Sequence, residues 1–93
     1  MRVVAVVALD GVVGFDLGTP LEIFGRTRLL DGRPGYHVRV GAARTTVDAG
    51  LFTLRAPWDL SAIRGAHTVV VPGVADPTTP VPPRVLRALQ GVG

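Results

Sequence analysis

Two stretches of the chain are apolar without alternation, and they frame everything between them. Val3-Val4-Ala5-Val6-Val7-Ala8-Leu9 is the first, and Val69-Val70-Val71, entered through His67-Thr68, is the second. Short continuous apolar runs are how parallel strands covered on both faces read. Asp10-Gly11 ends the first run and Pro72-Gly73 the second. Tyr36-His37-Val38-Arg39-Val40 alternates instead, which predicts an edge strand or one with a wetter face. Thr45-Thr46-Val47 and Leu51-Phe52-Thr53-Leu54 predict two short strands around the turn Asp48-Ala49-Gly50.

Helices fill the gaps. Thr19-Pro20-Leu21-Glu22 satisfies three start rules together: a capping hydroxyl, a proline in the first turn, and an acid three residues after the cap. A helix is therefore expected from Thr19 to about Asp31-Gly32, in which Leu21, Phe24 and, one turn on, Arg28 and Leu29 mix a packed face with a wet one. Trp58 to Arg64 predicts a short helical turn capped by Asp59 or Ser61. Pro82-Pro83 opens a last helix with Val85, Leu86 and Leu89 on one face, ended by Gly91. Strand, helix, strand, two short strands, helical turn, strand, helix is the rhythm of an α/β, doubly wound (flavodoxin-like), mostly parallel sheet. The last helix needs a neighbour for its apolar face, so the expectation is an incomplete sheet.

Composition narrows the function classes. All ten basic residues are Arg, set against seven acids for a net charge of +3, and they are scattered rather than gathered on one face. Nucleic-acid binders concentrate such charge, so the balance alone gives little reason to expect DNA binding. The chain has no Cys, which excludes disulfides, thiolate metal sites and a cysteine nucleophile within it. His37 and His67 lie far apart without paired acids, so no metal site is expected. The opening apolar run is too short for a membrane span and lacks a leader's cleavage pattern, so a cytoplasmic location is expected.

The candidate chemistry gathers where the first apolar strand ends. Asp16 sits in a strand-to-helix connection, where amide dipoles attract a carboxylate. It could equally be a plain loop acid, or in a dry pocket a hydrogen-bond donor to a nucleophile. Val71-Pro72-Gly73-Val74 ends a buried strand at the same sheet edge, where Gly73 could turn backbone amides toward a ligand as an oxyanion site requires. An ordinary strand-end turn is the plainer alternative. Gly11 and Gly14 are structural, serving the turn and close backbone approach, and Thr19, Pro20 and Glu22 serve the helix start. The spacing of Gly11, Gly14 and Gly18 is not the dinucleotide fingerprint, and no phosphate-binding G-x-x-x-x-G-K-[ST] occurs. No cofactor is expected.

Val3 to Leu9, Asp10-Gly11, the stretch Gly14-Phe15-Asp16-Leu17-Gly18-Thr19-Pro20-Leu21-Glu22-Ile23-Phe24, the strand Tyr36 to Val40 and Val69-Val70-Val71-Pro72-Gly73 together resemble the opening of a ThiJ/PfpI domain. This is the class I glutamine-amidotransferase-like fold, and the nearest likeness is to the version at the front of GlxA-type AraC family transcriptional regulators. The resemblance implies that residues 1–93 are the N-terminal half of such a domain. It matches Asp16 to the acid that contacts the nucleophile elbow, and Gly73 with the Val74 amide to the backbone lining the same pocket. It also implies that the elbow, and the helix-turn-helix domain through which alone DNA would be bound, fall outside these residues.

Three functional expectations follow. The first is a truncated small-molecule-sensing domain of a transcription regulator, responding to a small effector and without activity of its own. The second is a fragment of a ThiJ/PfpI hydrolase or hydratase, in which Asp16 would assist a thiolate. The third is a small structural α/β protein acting by self-association through an open sheet edge.

Overall fold

The computed structural model describes residues 2–91 of the chain. Strand β1 (Arg2–Val7) occupies the centre of a three-stranded parallel sheet, with β2 (Tyr36–Gly41) on one side and β5 (Thr68–Val70) on the other. Between them, β3 (Thr46–Asp48) and β4 (Thr53–Arg55) form a separate antiparallel hairpin. Helix α1 (Gly14–Arg26) connects β1 to β2, a 3₁₀ turn (Leu60–Ile63) precedes β5, and α2 (Pro83–Gln90) follows it. The parallel pairing expected of the two apolar runs is present, Val4 lying opposite Thr68 and Val6 opposite Val70. The alternating run Tyr36 to Val40 forms the edge strand β2, with His37 exposed.

The unbroken apolar character of β1 has a direct cause, because both faces of the strand are buried. Val4, Val6 and Ala8 pack on one side with Leu17, Leu21 and Phe24 of α1 and with Val47 of the hairpin. Ala5 and Val7 pack on the other side with Ala62 and Ile63 of the 3₁₀ turn and Val85 of α2. Val4, Val6, Val7 and Val85 are all at most 1% exposed. Each such side chain contributes on the order of 2 kcal/mol, and β1 is the strand through which both layers hold together.

Helix α1 departs from the expected boundaries at both ends. It begins at Gly14 with Val13 as an uncapped N-terminal residue, so Thr19 is interior and no capping box forms. The Thr19 hydroxyl donates to the Phe15 carbonyl (2.8 Å), Pro20 lies inside the helix, and Glu22 pairs with Arg26. Packing overrides the start signal: Leu17, Leu21 and Phe24 recur at the spacing that lays one stripe on β1, and Leu17 can join it only if the helix has already begun. At the other end, Thr27 turns to extended backbone while its hydroxyl donates to the Ile23 carbonyl (2.6 Å). Asp31-Gly32 is therefore not the helix end. It is the tip of a small turn closed by the Arg28–Pro34 bridge, and it leaves Leu29 and Leu30 exposed.

The 3₁₀ turn has the expected cap. Asp59 accepts from the Ser61 amide (2.8 Å), and those bonds to Ser61 hold its carboxyl below the usual range. His67 serves the entry to β5, its amide donating to the Val3 carbonyl and its Nδ1 accepting from the Val3 amide, both at 2.9 Å.

Candidate functional site

Three loops leave the carboxyl ends of the parallel strands, and backbone bonds clip them into one platform. Gly11 has φ +83°, a conformation that suits glycine. This turns the chain so that the Gly11 amide donates to Asp48 (2.7 Å) and the Gly11 carbonyl accepts from Ala75 (2.9 Å). Val13 donates to the Gly73 carbonyl at 2.9 Å, completing an antiparallel bridge between Val12 and Val74. In that pairing the bonds run through residues 11, 13, 73 and 75, so the Val74 amide faces away from Val12.

Asp16 occupies the first turn of α1 and is exposed. Its carboxylate lies so close to Gly73 that a Cβ at position 73 would stand 2.7 Å from Oδ2. Of the three pocket candidates read from the sequence, Asp16 and Gly73 are thus side by side, and Val74 follows directly. Gly14 has Phe52 of the hairpin as its neighbour. Ser61 lies in the 3₁₀ turn and His67 at the opening of β5.

A crevice of about 380 Å³ opens on the same platform, between the ends of β1 and β2 and the proline-rich loop before α2. Val74 is part of its wall, whereas Asp16 and Gly73 are not. Asp10 stands at its edge. Its Oδ2 accepts from Arg44 (2.6 Å) and its Oδ1 from the Asp48 amide (2.9 Å). Arg84 of α2, also on the lining, donates to the Ala43 carbonyl at 2.5 Å. The proline-rich wall is held by Asp76, whose carboxylate accepts from the Thr78 hydroxyl (2.6 Å) and amide (3.0 Å). Those bonds keep the Asp76 carboxyl below its ordinary range.

Sequence reasoning placed Asp10 only as a turn former and Arg44 and Arg84 only as scattered charge. One signal was available: Asp10 and Arg44 follow closely on the carboxyl ends of β1 and β2, where open α/β sheets bind ligands.

The clasp around Asp10 carries a pH prediction. The Asp48 amide, and after it Arg44, lower the carboxyl's pKa from its usual 3.8. A depressed native value gives stability that is present above the unfolded pKa and lost as pH falls through the folded one. The pair is largely exposed, so its worth after screening is under about 1 kcal/mol. Amide exchange at Gly11 and Asp48, corrected for intrinsic rates, is therefore expected to gain on that of β1 only below about pH 4. Asp10→Ala should show the faster exchange at neutral pH, and an unchanged rate there would remove the clasp from the account.

Among the described residues, no group of three or more His, Asp or Glu is placed to hold a metal, and no helix is long and apolar enough to cross a membrane. Compared with protein-family models, curated proteins and solved structures, the chain gives no significant match.

Proposed function

We propose that the chain is the opening part of a doubly wound, flavodoxin-like sheet of the ThiJ/PfpI kind, and that it serves small-molecule sensing in an AraC-type transcription regulator. The observation that carries this reading is the Asp16 carboxylate set against Gly73 at the carboxyl ends of parallel strands. The strand order agrees with it. β1 has its two parallel neighbours on opposite sides, so the chain reverses its direction of travel across the sheet there, and ligands of open α/β sheets bind at such a switch. The layers agree too, with α1 on one face and the 3₁₀ turn and α2 on the other. In this reading the effector is met by Asp16 and the Val74 amide, and DNA is read by a helix-turn-helix unit outside residues 1–93.

Acetate and acetamide serve as probes of that corner. Titrated into the ¹⁵N-labelled chain, at least one of them is expected to shift the Gly73 and Val74 amide resonances. Gly73→Val should abolish the shifts, because its Cβ would stand 2.7 Å from the Asp16 Oδ2 and drive the carboxylate from the corner. Silent amides at millimolar probe, or shifts that survive Gly73→Val, would overturn the sensing role of this corner.

A further inference from the structure

The crevice between the ends of β1 and β2 and the proline-rich loop shares Val74 with the Asp16–Gly73 corner but neither Asp16 nor Gly73, and its chemistry is different. Its volume of about 380 Å³ lies within the range of small-molecule pockets, and equals roughly a dozen water volumes. Leu9, Val47, Val74, Val81 and Val85 give it apolar walls. Pro77, Pro80 and Pro82 stiffen one side, so little ordering remains to be done when a ligand enters.

The charged groups on the lining are unequal. Arg44 is neutralised by Asp10, whose carboxylate is already engaged by that guanidinium and by the Asp48 amide. Arg84 takes part in none of the ion pairs among the described residues, and its one acceptor is the neutral Ala43 carbonyl. The crevice therefore has an apolar interior and one unneutralised guanidinium. A guanidinium recognises a carboxylate through paired N–H donors.

We propose that this crevice binds a small monocarboxylate with a branched aliphatic or single-ring tail, its carboxylate on Arg84 and its tail among Leu9, Val74 and Val81. The site does not depend on the ThiJ/PfpI reading and would stand if that reading failed. Size excludes nucleotides and extended peptides from full enclosure, and the single unpaired cation favours one negative charge over two.

The test pairs acids with their neutral isosteres on the intact chain. Benzoate and 3-methylbutanoate are titrated against benzamide and 3-methylbutanamide, followed by amide and methyl resonances. The acids are expected to shift Ala43, Arg44, Val74 and Val85 and to bind about tenfold more tightly than the amides, the factor that follows from losing one charge-assisted hydrogen bond. Arg84→Gln should bring acid and amide to equal affinity, whereas Arg87→Gln, one turn further along α2, should leave the preference intact. Equal binding of acid and amide by the unaltered chain would overturn the proposal, whether or not the Arg84 variant folds. So would acid-induced shifts confined to Gly73 and Asp16, or no response at millimolar acid.

Discussion

Gly41→Ala is expected to destabilise the chain by about 3 kcal/mol, the upper part of the range for overpacking a filled site. An added Cβ would lie 2.5 Å from the Asp59 carbonyl oxygen and 2.8 Å from the Ala62 Cβ. Neither atom can rotate away, since both are fixed to the backbone. Nor can the segment retreat freely. Trp58 donates to Val40 (3.0 Å) and Ala42 donates to Trp58 (3.2 Å), tying the approach to the 3₁₀ turn along the end of β2. Relief would cost those bonds or the packing of Ala62 against Ala5 and Val7. Urea unfolding followed by far-UV dichroism measures the effect as a lowered midpoint. A midpoint equal to that of the parent chain would show that the close approach is not a constraint.

Val85→Asp is expected to release α2 altogether. Val85 is 1% exposed and shares a cluster with Ala5, Val7, Ala62 and Ile63, which offers a carboxylate no polar partner. An unpaired charge is not held in such a place, so the helix leaves and takes with it the burial of Ala88 and Leu89. The loss should reach roughly 4 kcal/mol, a large share of a small domain's stability. Val85→Ala, which keeps the helix docked, should cost roughly 2 kcal/mol. Amide exchange separates the two variants: the aspartate exposes the whole of α2, and the alanine speeds it without uncoupling it from β1. Protection of α2 surviving in Val85→Asp would contradict the account of its docking.

Local pattern revealed what is decided locally. β1 is legible because a strand buried on both faces has no polar positions to spare, whereas β5, expected to be covered the same way, is an edge strand that is only partly buried, with Val71 beyond it 42% exposed. The hairpin was readable from Asp48-Ala49-Gly50, and the 3₁₀ turn from Asp59 two residues before Ser61. Helix α1 was misplaced for the opposite reason. Thr19, Pro20 and Glu22 meet the rules of a helix start, yet Leu17 has a place in the core that requires an earlier one. Arg28 and Leu29 continue a helical pattern, but Thr27 has already bonded back to Ile23 and turned the chain. At the strand ends, Asp16 and Gly73 stand out because each follows the end of an apolar run. The Asp10–Arg44 pair does not, because its members are 34 positions apart and each alone looks like an ordinary surface charge. The crevice wall is a proline-rich loop with no chemistry of its own in the sequence, and only its position over the ends of β1 and β2 gives it a meaning.

The central place of β1 also bears on the order of assembly. Its partner in β2 is one helical crossover away, Arg2 meeting Tyr36 across α1, while its partner in β5 lies about twice as far along the chain, Val4 meeting Thr68. Closing the longer loop from a free chain costs only about 0.6 kcal/mol more per doubling of length, but it cannot happen until those residues exist. During synthesis, β1 and α1 must wait for β2 with both apolar faces of the strand uncovered, and one face waits longer still for the 3₁₀ turn and α2. Early folding is therefore expected to centre on β1, α1 and β2. In a refolding experiment, substitutions at Val6 or Leu21 should slow folding, whereas those at Val69 or Leu89 should mainly speed unfolding. A strand that is translated before both of its neighbours is the point at which this chain most needs protection from its own kind.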